Sequence, residues 1–214
     1  MLDALARSIS ASSSVLEIGC GTCNVLRALR ERVGCSCAGV DPSSAMLALA
    51  PRNVGDLHCC SAERMEFPPT TFDFVYSVDV IHHIRDRGAA FGEIARVLRE
   101  DGRVCTVTDS ESVIRRRLLS HYFPETIDVE LARYPRIETL RDEMARAGFV
   151  DLREDEVAFE HDIHDARAVR DKVFSSLKLI DETAFHVGLA RLEDDLKRGP
   201  LRNVARYTLL WASA

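Results

Sequence analysis

Short apolar runs alternate with amphipathic segments through the first half of this chain. Five runs have the length and apolar character of buried strands: residues 15–18, 37–40, 57–60, 72–77 and 104–108. Between the runs, apolar residues recur at helical spacing, for example at Val25, Leu26, Leu29 and Val33. Alternation of this kind predicts a parallel sheet covered by helices.

The second half of the chain is more helical and less regular. Its pattern predicts a helix that ends at Gly148, a strand over 149–157, amphipathic helices over 169–180 and 185–196, and a last strand over 202–211. We expect the last strand to insert antiparallel at one edge of the sheet. The prediction is a single α/β domain over 1–214 with a doubly wound, seven-stranded and mostly parallel sheet.

Composition narrows the class of protein. With 214 residues, of which 46% are hydrophobic and 29% charged, the chain has the makeup of one globular domain with a sizeable core. Its apolar runs are far shorter than the roughly 20 residues that cross a bilayer. Residues 1–7 lack the apolar core of an export signal. We therefore expect a cytosolic protein without a membrane span.

The charge of the chain narrows its partners. A formal net charge of -6 opposes binding to nucleic acid, which uses a basic face to contact phosphates. We expect a small-molecule substrate, with no nucleic acid and no membrane as partner. The sequence leaves open whether the protein is a monomer or a homodimer.

The seven cysteines all lie in the first half of the chain. Their odd number and their distribution suit reduced thiols in a cytosolic core better than a disulfide framework. Cys20-x-x-Cys23 and Cys35-x-Cys37 could nominally supply four thiolates to zinc. The first pair lies in a glycine turn and the second in a predicted strand, without the spacing of a zinc ribbon, so we predict no metal site.

Two neighbouring strand ends carry the candidate chemistry. The first strand runs into Glu17-x-Gly19-x-Gly21, and the second ends at Asp41. In a doubly wound sheet, glycines let the backbone approach an adenosine ligand, and an acid at the next strand end accepts hydrogen bonds from the ribose hydroxyls. A G-x-G turn alone is a weak signal, because such turns are common where strands enter helices. Its combination with Asp41 favours an adenosine cofactor.

At these positions the sequence resembles the class I S-adenosylmethionine-dependent methyltransferases, especially the type 11 group of small-molecule enzymes related to ubiquinone-biosynthesis methyltransferases. The resemblance rests on motifs in family order: residues 15–22, 40–46, 61–68, 72–84 and 94–102. It implies a Rossmann-like fold, S-adenosyl-L-methionine as the cofactor and methyl transfer to a small molecule. It also implies a cofactor-binding half over 1–109 and helical inserts over 110–135 and 160–200 that cap the substrate.

The resemblance assigns roles to individual residues. Glu17 and the backbone from Gly19 to Gly21 would hold the methionine end of the cofactor, and Asp41 its ribose. Met46 and Ala62 would lie on either side of the adenine. The full set implied to contact the cofactor is Glu17, Gly19, Cys20, Gly21, Asp41, Pro42, Ser43, Met46, Ser61, Ala62, Glu63, Ser77 and Val78.

Two positions depart from the family pattern and leave alternatives open. Cys23 stands where the family has a third glycine, and Ser61 where an aspartate commonly reads the adenine amino group. A non-catalytic S-adenosylmethionine-binding or regulatory protein of the same fold is therefore one alternative. A nicotinamide oxidoreductase is another, although its fingerprint requires glycine where this chain has Asn24.

Two histidines are candidate catalytic residues. His82 and His83 follow the fourth predicted strand, at the face where ligands bind in such sheets. A histidine there could take the proton of a hydroxyl acceptor near neutral pH. Alternatively, both shape the pocket by hydrogen bonding. The three arginines of the run 115–117 also have two interpretations. They could contact an anionic substrate, or they could form a solvated helix face.

Overall fold

The computed structural model describes residues 1–214. Its strands are β1 (Ser14–Ile18), β2 (Ser36–Val40), β3 (Asp56–His58), β4 (Phe72–Val78), β5 (Leu98–Thr108), β6 (Val150–Ile163) and β7 (Leu201–Ser213). Its helices are α1 (Leu2–Ala6), α2 (Asn24–Val33), α3 (Ser44–Leu47), α4 (Arg87–Val97), α5 (Glu111–Arg116), α6 (Leu118–Tyr122), α7 (Glu125–Arg133), α8 (Ile137–Arg146), α9 (Arg167–Arg170) and α10 (Glu182–Leu196). None of these helices combines the length and the apolar character needed to cross a bilayer.

The strands form one sheet in the order β3-β2-β1-β4-β5-β7-β6. β1 pairs in parallel with β2 and β4, β2 with β3, and β4 with β5. The strand order reverses beside β1, and ligands of doubly wound sheets bind outside the carboxyl ends of the strands at such a reversal. The predicted α/β fold with a seven-stranded, mostly parallel sheet is confirmed.

The last strand is antiparallel, as predicted. The backbone nitrogen of Ala214 donates to the carbonyl of Gly102 over 2.8 Å, and that of Ser110 donates to the Thr208 hydroxyl over 3.3 Å. Residue numbers therefore fall along β7 as they rise along β5. This pairing direction distinguishes β7 from the parallel strands β1 to β5.

The position of β7 differs from the predicted edge. It lies one place further in, between β5 and β6, and β6 is the edge strand. Burial gives the physical reason, because five successive residues of β7, 208–212, are buried and so need cover on both faces. In contrast, β6 has no buried residue, which suits a strand that faces solvent at an edge.

One face of β1 builds the main apolar core. Leu16 and Ile18 pack in a buried cluster that includes Val75 of β4, Phe91 of α4 and Met144 of α8. Removing this much apolar surface from water is the main term that stabilises such a domain. The core therefore fixes the end of β1, from which the candidate site begins.

The other face of β1 is unusual because it buries polar side chains. A row of paired residues crosses four strands there: Gly39 on β2, Glu17 on β1, Tyr76 on β4 and Cys105 on β5. Glu17 is 3% exposed and Tyr76 is fully buried. Glu17 is therefore an interior residue rather than a solvated acid at a strand end.

The chain divides into two compact units. The first comprises residues 1–108, 137–155 and 209–214, and the second comprises residues 109–136 and 156–208. In the second unit, Tyr122, Phe123, Leu177, Phe185 and Leu192 form a buried cluster of their own. Both predicted inserts, 110–135 and 160–200, lie wholly in this unit. Their role as a substrate cap stays a prediction.

Two predicted helices are shorter in the structure. The segment predicted as a helix over 169–180 is α9 followed by a 3-10 turn, Ser175–Lys178, because Lys172 takes a positive φ of 45° between them. The helix that holds Met46 ends at Leu47, four residues before Pro51. Since proline disfavours helical conformation in the residue before it, the chain between them leaves the helix.

Candidate cofactor site

The carboxyl ends of β1 and β2 bring the glycine loop and Asp41 together, as the motif predicts. Asp41 Oδ2 accepts a hydrogen bond from the backbone nitrogen of Gly21, and Oδ1 accepts one from that of Ser43, each over 2.8 Å. A carboxylate has about four acceptor positions, so both oxygens can still accept further bonds. Asp41 therefore fixes the loop and remains able to bind hydroxyl groups.

The backbone of the glycine loop cannot be built from ordinary residues. Gly19 has φ 66° and Gly21 has φ 52°, a region that side chains with a Cβ rarely adopt. A Cβ on Gly19 would lie 2.4 Å from Val80 Cγ2, whereas one on Gly21 would lie 3.4 Å from Met46 Cε. The loop thus packs tightly against Val80 and more loosely beside Met46, which is 41% exposed.

Cys23, which stands where the family pattern has glycine, adopts a backbone conformation that is strained for a residue with a side chain. It precedes α2 with φ 60°, the left-handed conformation that glycine adopts without strain. Its thiol is fully buried, and its side chain does not cap the helix. Cysteine therefore adopts the left-handed conformation here in place of glycine, and its side chain is buried in the protein.

Glu17 lies beneath the glycine loop as a buried carboxyl group. Desolvation by burial raises the pKa of Glu17 to about 8, against the smaller opposing effects of Tyr76 and the Leu26 backbone. Neither Glu17 Oε2 nor the Tyr76 hydroxyl forms a hydrogen bond of normal geometry within the protein. A buried polar atom without a partner is costly unless a ligand satisfies it.

The segment predicted to meet the adenine follows β3. Ser61 is exposed and Ala62 is buried, and Glu63 directs its carboxylate toward the start of α4, where the backbone nitrogen of Asp86 lies 3.5 Å away. Ala62 packs in the main apolar core. Core packing therefore holds Ala62 and a backbone contact holds Glu63, whereas Ser61 lies at the surface.

A clamp from α4 holds this segment, and sequence reasoning missed it. Glu93 Oε2 accepts from the backbone nitrogen of Met65 over 2.8 Å. Arg96 donates to the carbonyls of Phe67 over 2.8 Å and Met65 over 3.1 Å, and it pairs with Glu93 over 2.6 Å. The only signal in the sequence was the place of Arg96 in the family motif over 94–102.

The two histidines lie in a 3-10 turn, Ile81–His83, after β4. Their rings are 4.0 Å apart. The His82 side chain is 4% exposed, and its Nδ1 lies 3.7 Å from Asp79 Oδ1, whereas His83 is exposed. Ser77 is buried and Val78 is half-buried at the end of the same strand. Of the pair, His83 is therefore the one that a solute can reach.

The arginine run does not act as one surface. Arg116 pairs with Glu156, and Arg117 pairs with Asp109, which is 6% exposed. Arg117 Nη1 also lies 3.9 Å from Glu130 Oε1. Two of the three guanidinium groups thus neutralise carboxylates of the second unit, and Arg115 is exposed. Only Arg115 fits the predicted solvated helix face, because the other two guanidinium groups are occupied by ion pairs.

The cysteine pairs weighed for zinc are packed side chains. The thiols of Cys35 and Cys37 lie 3.7 Å apart and are buried. Cys20 is packed so closely on Gly39 that a Cβ there would lie 2.7 Å from its sulfur. No group of three or more histidine, cysteine, aspartate or glutamate side chains in the chain is arranged to hold a metal ion.

Comparison with known proteins agrees with this geometry. Residues 16–106 match the family model described as a methyltransferase domain. The chain is 33% identical over 111 residues to a ubiquinone biosynthesis O-methyltransferase of Bradyrhizobium sp., a match that covers 48% of this chain and 43% of that protein. The chain thus spans less than half the length of this curated relative.

Solved structures share the fold over the whole chain. A protein of Anabaena variabilis, described as a methyltransferase of an antibiotic biosynthesis pathway, aligns with a TM-score of 0.76 at 22% identity over 100% of this chain and 96% of its own. Phosphoethanolamine N-methyltransferase 2 of Haemonchus contortus, solved with S-adenosyl-L-methionine, aligns with a TM-score of 0.64 at 21% identity over 99% of this chain and 51% of its own. Together the comparisons show that residues 16–106 resemble a methyltransferase domain and that the whole chain shares the fold of these two solved structures.

Proposed function

We propose that this protein binds S-adenosyl-L-methionine at the carboxyl ends of β1 and β2 and transfers its methyl group to a small molecule in the cytosol. The observation that carries the proposal is the bridge from Asp41 to the backbone of Gly21 and Ser43, each bond 2.8 Å long. It brings the acid and the glycine turn of the adenosine motif into one site. The ubiquinone biosynthesis O-methyltransferase of Bradyrhizobium sp. and the phosphoethanolamine N-methyltransferase 2 of Haemonchus contortus, to which the chain is similar, support the same reaction.

The residues present suit this cofactor. The Gly19 to Gly21 backbone turns without side chains beside Asp41, which leaves room for a ribose to approach. Glu17 offers an unpartnered carboxyl oxygen below the loop, which suits the cationic end of an amino acid. Met46 lies beside Gly21 with 41% of its surface exposed, as an apolar side chain for a flat base.

When bound, S-adenosylmethionine supplies a methyl group on a sulfonium, which a nucleophile can displace in line. The protein's part is to position the groups and to exclude water. Asp41 holds the glycine loop in place. The clamp formed by Glu93 and Arg96 holds the segment with Ser61 and Ala62, and the core packing of Ala62 keeps this segment from moving.

We propose His83 as the residue that accepts a proton from a hydroxyl acceptor. It is exposed after β4, while His82 is packed beneath it. A positioned base contributes about 10²-fold or more to such a transfer. We expect His83→Ala to slow methylation of a phenol by about that factor and to leave the affinity for S-adenosylhomocysteine unchanged. The defect should shrink at a pH where the phenol is already ionised, and equal rates in both proteins would exclude His83 as the base.

Calorimetry with S-adenosylhomocysteine tests the proposed site, with NAD as the competing ligand. We expect S-adenosylhomocysteine to bind and NAD not to bind. Transfer of labelled methyl from S-adenosylmethionine to a panel of phenols, amines and thiols then tests the reaction. Folded protein that ignores both methionine-derived ligands at millimolar concentration would overturn the proposal. Tight binding without transfer to any acceptor class would favour the non-catalytic alternative.

A further inference from the structure

Met46 is a solvent-accessible methionine at the edge of the candidate cofactor site. It lies on α3, a four-residue helix without a buried residue, and it is 41% exposed. Its Cε lies 3.4 Å from the position that a Cβ on Gly21 would occupy in the glycine loop. This thioether side chain is therefore open to small molecules in solution, and it adjoins the loop that the proposed cofactor contacts.

The other three methionines of the chain differ from Met46 in burial or in position. Met65 is 5% exposed and Met144 is fully buried, and both pack in the main apolar core. Met1 is half-buried and is the first residue of the chain. Since an oxidant must reach the sulfur atom from solvent, we expect Met46 to react before the two core methionines.

We propose that Met46 is a site of reversible oxidation and that its sulfoxide form binds S-adenosyl ligands more weakly. The inference rests on the proposed function. In the reaction with hydrogen peroxide, the O–O bond breaks and one oxygen atom bonds to the sulfur of Met46, which is oxidised, while the peroxide is reduced to water. Methionine sulfoxide reductases, which take electrons from thiols, remove this oxygen atom as water and restore the thioether.

The sulfoxide changes the surface that the ligand meets. Oxidation converts a flexible apolar side chain into a polar one. An adenine ring that packs on Met46 would remove water from the new oxygen atom. The neighbouring backbone nitrogens of Gly21 and Ser43 already donate to Asp41. Because a polar atom that loses water without gaining a partner is costly, we expect binding to weaken about tenfold or more.

The local fold around Met46 does not depend on its sulfur atom. The Ser43 hydroxyl caps α3 by accepting a hydrogen bond from the backbone nitrogen of Met46 over 3.3 Å. This bond uses the backbone of Met46 and not its side chain. We therefore expect oxidation to reduce ligand affinity while the free energy of unfolding stays the same.

Peptide mass spectrometry after treatment with hydrogen peroxide measures oxidation at each methionine. We expect Met46 to be oxidised before Met65 and Met144. Saturating S-adenosylhomocysteine should slow this oxidation, because the ligand covers the side chain. Calorimetry should then show that the oxidised protein binds S-adenosylhomocysteine about tenfold or more weakly, and methionine sulfoxide reductases should restore the affinity. Urea unfolding of the two forms should coincide.

Two variants assign the effect to one sulfur atom, since peroxide also oxidises thiols. Cys59 provides the control, because it is exposed and its thiol donates to the carbonyl of Pro42 in the same region over 3.7 Å. The affinity of Met46→Leu, whatever its starting value, should not change on treatment with peroxide. Cys59→Ser should lose affinity on treatment, as the wild-type protein does.

Three results would overturn the inference alone. These are a loss of affinity that persists in Met46→Leu, complete oxidation of Met46 without any loss, and oxidation of Met65 or Met144 ahead of Met46. If the untreated protein does not bind S-adenosylhomocysteine, the proposed function fails, and the inference fails with it.

Discussion

The ends of β1 and β2 each place a carboxylate beside the glycine loop, and the protein holds these two carboxylates in opposite ways. Both oxygens of Asp41 accept backbone hydrogen bonds, and the group is half-buried. Glu17 is buried, and its Oε2 has no partner. The comparison shows that one site can combine a carboxylate whose two oxygens are both held by backbone hydrogen bonds with a buried one that has an oxygen without a partner.

The largest expected effect concerns the stability of the free protein. Because burial raises the pKa of Glu17 from 4.5 to about 8, the folded protein binds this proton more tightly than the unfolded chain does. The free energy of unfolding should therefore fall as pH rises from about 4.5 to 8, by roughly 3–5 kcal/mol from this group. Urea unfolding at a series of pH values measures this slope. Glu17→Gln should remove it.

Glu31→Gln is the matched control, since Glu31 is an exposed acid on α2. This variant should keep the slope of the wild-type protein. If Glu17→Gln showed the same slope as Glu31→Gln, Glu17 would already be ionised in the free protein. The contrast between the two carboxylates would then disappear.

The next largest effect concerns Asp41 and ligand affinity. Asp41→Ala removes a charged acceptor from the loop and from the ligand, and hydrogen bonds to charged groups contribute about 1.5–3 kcal/mol. We expect calorimetry to show affinity for S-adenosylhomocysteine weakened by about 10-fold to 150-fold. An unchanged dissociation constant would show that Asp41 does not contact the ligand.

Asp73→Ala is the control for Asp41. Asp73 is also half-buried, and it also accepts from a backbone nitrogen, that of Ser14 over 2.7 Å, together with Arg99. It lies near the start of β4, at the opposite end of the strands from the glycine loop. Asp73→Ala should therefore reduce stability and leave ligand affinity intact. The control thus distinguishes affinity lost through destabilised protein from affinity lost through removal of a binding group.

The smallest expected effect concerns Ser43, which lies next to Asp41 in the site and caps α3. Ser43 donates its backbone nitrogen to Asp41, and its hydroxyl accepts from the nitrogen of Met46 over 3.3 Å as the cap of α3. Ser43→Ala removes the cap but keeps the backbone bond, so we expect a loss of about 0.5–1 kcal/mol in stability by urea unfolding. If Ser43→Ala weakened the affinity for S-adenosylhomocysteine as much as Asp41→Ala does, the Ser43 hydroxyl would be a ligand-binding group of the site.

The sequence predicted the parts of this protein that depend on local pattern. Apolar periodicity located all seven strands, and the spacing from Gly21 to Asp41 placed the two residues where they meet. The cap at Ser43 was also predicted, because the chemistry of a helix start is contained in a few neighbouring residues. These features need no knowledge of which strands lie side by side.

Features that depend on register and on distant contacts could not be predicted. The burial of Glu17 follows from its pairing with Tyr76, 59 positions further along the chain, and from the face of the sheet that both occupy. The clamp of Arg96 on Phe67 joins a helix to a loop through backbone carbonyls, which leave no trace in composition. The place of β7 inside the sheet likewise depended on β6 being more exposed.

The exposed edge strand β6 has a consequence for assembly. A long unpaired edge can recruit a strand from a second molecule and begin a fibre. Six of its fourteen residues are acidic, namely Asp151, Glu154, Asp155, Glu156, Glu160 and Asp162. Arginines pair with Asp155, Glu156 and Glu160. The other three carboxylates would repel those of a second copy that docked edge to edge. The sheet therefore carries a charge-based barrier to polymerisation on its edge strand.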